Sequence, residues 1–237
     1  MGYYFIVGII FIINNIINAI LKNRLNFYSK IRLNSNMNGK EIAEKMLSDN
    51  GILDVKVFLI EGELTDHYNP SNKTINLSSK IFNEKNSVST AVAAHECGHA
   101  LQHKIGYRLL KIRNGLTYIL NLSSKMAYLS MISGLAIFYG SEGGYSIILK
   151  IGLVLFFLVF ILSIITLPIE FDASSRALNW LKNNNIVNNK EFFYVKKTLK
   201  WAVLTYVFSM LSNLVSLMYF TSYFKKNHDY NKDEKNN

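Results

Sequence analysis

Apolar and polar positions fall in long blocks along this chain. Residues 3–21 carry no charge and are rich in Ile, Val and Phe, and about 20 such residues cross a bilayer. Residues 151–168 are uncharged and almost wholly apolar, and with 145–150 they make a second strong block. Residues 201–224 make a third, with Tyr206, Tyr219 and Tyr223 near its ends as interfacial anchors. A weaker block at 116–140 contains Lys125, which reaches the interface more readily than it lines a pathway. The pattern predicts about four membrane helices, at 1–22, 116–140, 145–168 and 201–224.

The polar stretches between them have shorter periods. Residues 33–39 read as a linker. Residues 40–49 place Ile42, Ala43, Met46 and Leu47 on one face, which predicts a short amphipathic helix ended by Gly51. Residues 54–60 read as a strand, followed by a turn at Asn69, Pro70, Ser71 and Asn72. Residues 73–78 alternate, with Ile75 and Leu77 inward and Thr74, Asn76 and Ser78 outward. That predicts a second, half-exposed strand. Residues 87–105 read as a helix that Ser87 or Ser89 caps and Gly106 stops. The expected architecture is therefore a mainly α membrane protein with a small α+β core: a polar part at 23–115, a helix within 169–200 and a polar tail at 225–237.

Bulk composition hides this division, because a mean hydropathy of +0.15 averages the two kinds of block. The net charge of +10 would suit nucleic acid on another protein. Here Lys22, Arg24, Lys30 and Arg32 follow the first block, and Lys104, Arg108, Lys111 and Arg113 precede the second. Arg176, Lys182, Lys190, Lys196, Lys197 and Lys200 lie between the third and fourth. That placement points to an anionic membrane surface and away from nucleic acid. The positive-inside rule puts 22–115 and 169–200 in the cytoplasm of a multi-pass protein of the cell membrane. Four crossings leave the tail outside, against its own Lys225, Lys226, Lys232 and Lys235. The first block lacks the basic start and small-residue cleavage pattern of a signal peptide, so an anchor is expected. One cysteine excludes a disulfide framework.

The chemistry is concentrated in Ala94-His95-Glu96-Cys97-Gly98-His99. Positions i and i+4 of a helix share a face, so His95 and His99 point the same way one turn apart. Two imidazoles at that spacing reach one Zn²⁺ at ~2.0–2.1 Å. Glu96, one step around, can take a proton from a water without binding the metal, which is the pattern of zinc hydrolases. Cys97 lies about 200° around the helix from His95 and reads as a buried filler. His103 lies about 12 Å along the helix from His95, too far to share the ion. It either supports the ligands from behind or simply ends the helix.

A catalytic zinc site needs a third protein ligand. Glu170 follows Leu167, Pro168 and Ile169, and Pro168 suits the first turn of a helix. If the blocks at 116–140 and 145–168 form a hairpin, residue 170 returns to the side of 95–99. The plainer reading is that Glu170 and Asp172 favour a helix N-terminus. Arg176 either stabilises an oxyanion or meets lipid headgroups.

Residues 91–103, the segment from Leu64-Thr65-Asp66-His67-Tyr68-Asn69-Pro70 to Leu77-Ser78, and residues 167–178 resemble the YugP-type neutral zinc metallopeptidases of bacterial membranes. The resemblance covers nearly the whole chain and extends, more distantly, to the HtpX-like membrane proteases. It implies a zincin-like core, one Zn²⁺ per chain, His95, His99 and Glu170 as ligands, and Glu96 as the catalytic residue. It also implies that 73–78 is an edge strand whose Thr74, Ile75, Asn76 and Leu77 hold extended substrate by backbone pairing. The distant relatives place an Asp four residues after the ligand Glu. Here that position is Ser174, and Asp172 becomes the candidate carboxylate behind the ligands.

The expected function is thus that of a zinc-dependent membrane endopeptidase acting on membrane-associated polypeptides, in the manner of membrane-protein quality control. The alternatives are a zinc-binding membrane sensor or scaffold without catalysis, and a transporter. The intact Glu96 argues against the first, and an ionisable cluster outside the apolar blocks argues against the second.

Overall fold

A computed structural model of the chain describes residues 2–116 and 147–236. In chain order these form α1 (Gly2–Tyr28), α2 (Gly39–Asp49), β1 (Lys56–Ile60), β2 (His67–Asn69), β3 (Thr74–Ser78), α3 (Ser79–Asn83), α4 (Ser87–Lys104), α5 (Ile147–Asn183) and α6 (Asn189–Asn236). Residues 108–116 are also helical. One compact unit comprises Ile13–Lys111 and Leu167–Tyr206; the other gathers Met1–Ile12, Ile112–Thr166 and Val207–Asn237.

The first unit has a core built from the predicted amphipathic faces. Ile42, Ala43, Met46 and Leu47 of α2 are buried with Ile75 and Leu77 of β3 and with Ala91, Ala93, Ala94 and Cys97 of α4. Burying each Ile or Leu contributes about 1.5–3 kcal/mol. Asn38 and Glu41 form a reciprocal cap at the start of α2, which satisfies orphan N–H groups there. At α4 the cap is Asn86, whose side chain accepts from the Val88 and Ser89 N–H groups, rather than either serine. An Asx side chain one residue earlier reaches the same donors.

The sheet corrects the expected edge. Its order is β1-β3-β2, with β1 parallel and β2 antiparallel to β3. The strand at 74–78 is therefore central, paired along its whole length with β1 and over residues 74–76 with β2. Thr74 and Ser78 are buried along with Ile75 and Leu77, so two of its three outward positions are covered and Asn76 alone is half-buried. The unanticipated strand is β2, three residues long, just ahead of the Pro70 turn.

Two helices among the described residues are long and apolar enough to cross a membrane, within Leu153–Asn183 and Asn189–Met218, where four were expected. Residues 117–140 of the expected second span lie outside the described residues. The first expected span is helical within α1 but is not one of these two. Only 17% and 6% of the residues in the two apolar windows are buried, so neither is the core helix of a soluble domain. Ile151, Val154, Phe157 and Leu158 on α5, and Leu211, Val215 and Met218 on α6, are exposed.

The expectation that Pro168 stands in the first turn of a helix is not met. Pro168 lies inside α5, which runs unbroken through Glu170, instead of opening a new helix. The ring removes the N–H that would meet the Ile164 carbonyl, a loss that apolar helices tolerate when neighbours compensate. Similarly, α6 runs from Asn189, joins residues 189–200 to the expected 201–224 segment and stays helical through 225–236.

Candidate metal centre

The site lies where α4 meets the 167–183 part of α5. Close approach is possible because the facing residues are small. Gly98 and Ala173 meet there, and a Cβ built on Gly98 would stand 2.5 Å from the Ala173 carbonyl oxygen. Ala173 and Ala177 have no exposed surface.

That approach brings His95, His99 and Glu170 together. Among the described residues they form the one group able to hold a metal, with ligand atoms within 4.8 Å of one another. His95 Nε2 stands 3.1 Å and His99 Nε2 3.6 Å from Glu170 Oε2. Tetrahedral donors around a shared Zn²⁺ lie about 3.3 Å apart, so the spacing suits one ion. The rings are 4.7 Å apart and nearly perpendicular. Glu170 is 1% exposed, and a carboxylate so buried needs cationic or metal partners. The donor set, two imidazole nitrogens and one carboxylate oxygen, is that of catalytic zinc sites. Burial alone would push the His99 imidazole down, but Glu170 beside it holds its pKa above the ordinary histidine value.

A polar layer stands behind the ligands. Ser174 Oγ lies 3.1 Å from His95 Nδ1. Gln102 Oε1 lies 3.0 Å from His99 Nδ1, and its Nε2 donates to the Ile169 carbonyl and to Asp172. Asp172 in turn accepts two bonds from Arg176. Arg176 thus has its guanidinium engaged at Asp172, four residues back on the same helix. Gln102 did not emerge from the sequence, although at i+3 from His99 it occupies a helical position that could have flagged it, and Ser174 was noted only as the residue four after Glu170.

Glu96 is 7% exposed and accepts the Tyr68 N–H at 2.9 Å. β2 is therefore the strand beside the chemistry, and Thr74, Ile75, Asn76 and Leu77 lie one strand further in. His103 does not join the ligands; its Nδ1 stands 2.7 Å from Tyr68 Oη. Burial pushes the Tyr68 hydroxyl up to about 12, which keeps it protonated. Cys97 is buried, its Sγ facing the Ala43 carbonyl, and burial pushes its thiol well up, as a packing residue requires.

Comparison with known proteins places the chain in a zinc peptidase family. The family described as "Putative neutral zinc metallopeptidase" matches residues 3–225, and the chain belongs to it. It is 35% identical over 211 residues to "Putative membrane protease YugP" of Bacillus subtilis (strain 168), an alignment covering 89% of this chain and 91% of that protein. No solved structure matches.

Proposed function

We propose that this chain is a multi-pass membrane zinc endopeptidase in which His95, His99 and Glu170 hold one Zn²⁺ per chain and Glu96 is the general base. The observation that carries this reading is the meeting of α4 and α5, which sets one carboxylate oxygen against two imidazoles from a distant stretch of sequence. Zinc, when bound, supplies the Lewis acidity that activates water and polarises a peptide carbonyl. Glu96 takes a proton from the attacking water and returns it to the leaving amine. The Tyr68 N–H aims the Glu96 carboxylate for that task. The small alanine and glycine contacts hold the two ligand-bearing helices at working distance. Arg176 reaches the reacting carbonyl only by leaving Asp172, so its assigned part is to orient Asp172.

The substrates are polypeptides associated with the lipid bilayer, with no nucleic acid partner, and the site faces the cytoplasm. Support comes from the placement of Lys and Arg beside the apolar blocks, and from Glu170 lying two residues after Pro168 on a helix whose earlier part is apolar and exposed. A role in clearing damaged membrane proteins fits that position. The test is metal analysis joined to a peptide-cleavage assay. Glu96→Gln should retain zinc and lose hydrolysis. Zinc bound with no cleavage by the wild type in any membrane or soluble polypeptide assay would favour the sensor or scaffold reading.

A further inference from the structure

Gln102 is a fully buried amide in the site unit. It spends all three of its contacts on the candidate centre. Its Nε2 donates at 2.8 Å to the Ile169 carbonyl and at 2.8 Å to Asp172 Oδ2. Those acceptors flank Glu170, one residue before it and two after. Turning the amide over would set Oε1 against two oxygen acceptors, so the orientation follows from the donors and acceptors around it. Oε1 must then face His99 Nδ1, 3.0 Å away, and only an N–H there can meet it. A neutral imidazole protonated on Nδ1 keeps its lone pair on Nε2, the nitrogen that faces Glu170.

The two histidines differ in this respect. His95 Nδ1 meets the Ser174 hydroxyl, which can donate or accept and therefore selects no tautomer. Beyond Gln102, Asp172 is fixed by two bonds from Arg176. An unbroken chain of contacts runs Arg176, Asp172, Gln102, His99.

We propose that Gln102 is a positioning residue that holds His99 in its Nδ1–H form and, with the same amide, sets the register of α5 so that Glu170 meets the imidazoles. The proposal rests on the reading of His95, His99 and Glu170 as ligands, and adds that the centre is half assembled before any metal arrives. One buried amide ties the two ligand-bearing helices together and readies one of the nitrogens.

The test is ¹⁵N NMR of histidine-labelled, zinc-free full-length protein in detergent micelles at alkaline pH, with His99→Asn to assign the signal. Wild type should show His99 protonated on Nδ1 and bare on Nε2. Gln102→Leu should show a mixture of tautomers and bind zinc 10–100-fold more weakly by chelator competition, with the zinc-free helical content preserved. Gln102→Met serves if the leucine variant does not fold. Ser174→Ala should leave the His99 signal unchanged. A wild-type His99 carrying its proton on Nε2 overturns the proposal, as does unaltered zinc affinity in a folded Gln102→Leu. Failure of wild type to bind zinc would instead remove the ligand reading, while the NMR signal still decides the tautomer.

Discussion

Gly98 on α4 and Ala173 on α5 touch backbone to backbone: a Cβ on Gly98 would meet the Ala173 carbonyl oxygen at 2.5 Å, its carbon at 3.0 Å and its Cα at 3.1 Å. None of these atoms is the end of a flexible side chain, so a methyl group there must part the helices. Gly98→Ala should cost about 1–3 kcal/mol through overpacking. The same displacement moves Glu170 away from His95 and His99, so zinc affinity should fall along with the melting temperature. Titration with a competing chelator checks this, and unchanged affinity would show that the helices give without disturbing the ligands.

Glu170 should be indispensable for metal and not merely for rate. Glu170→Ala removes the oxygen that both Nε2 atoms face, and zinc per chain should fall towards zero on dialysis. Glu170→Gln, of equal size but neutral, should retain metal poorly as well. Wild-type zinc stoichiometry in Glu170→Ala would reject this residue as the third ligand.

Tyr68 acts through two separable groups. Its hydroxyl meets His103, so Tyr68→Phe should lower stability by about 1 kcal/mol and leave cleavage near normal. Its backbone N–H meets Glu96, and Tyr68→Pro deletes that donor. The proline variant should keep zinc and lose cleavage by up to ~10²-fold, within the range for a general base. Equal activity of the two variants would show that Glu96 needs no aiming.

The pH dependence of stability should change sign with metal. Without zinc, burial lowers the His99 pKa but Glu170 raises it further, so its folded value lies above the unfolded ~6.5. The folded state then binds more protons. This contribution is fully present below pH ~6.5 and is lost as pH rises through the folded value. Zinc requires unprotonated imidazoles, so the loaded protein should instead gain stability over that rise. Melting curves with and without chelator, from about pH 5.5 to about 8.5, should slope in opposite directions. Parallel slopes would place the metal away from His99.

The helix bearing His95, Glu96 and His99 was legible because its period, its small apolar run and the Gly106 stop agree. Gly106 indeed takes φ +70 after that helix. Glu170 was legible only as a candidate, because nothing local separates a ligand from an acidic residue near a helix start. The central place of β3 was hidden, since alternation tells which side chains face inward and not whether a backbone edge is free. β2 was masked by its three-residue length and by the turn at Pro70. Pro168 misled for a related reason: local preference says a helix opens there, and packing along α5 overrides it. Gln102 was invisible because a buried amide and a solvated one look alike in a sequence.

β2 offers a guest chain very little rail. It has three residues, one flank is spent on β3, and on the other flank Tyr68 already gives its N–H to Glu96. On the function proposed above, a peptidase built this way would read few letters of what it cuts. Its selectivity would then come from delivery, from which chains are loose enough and near enough to reach the blade.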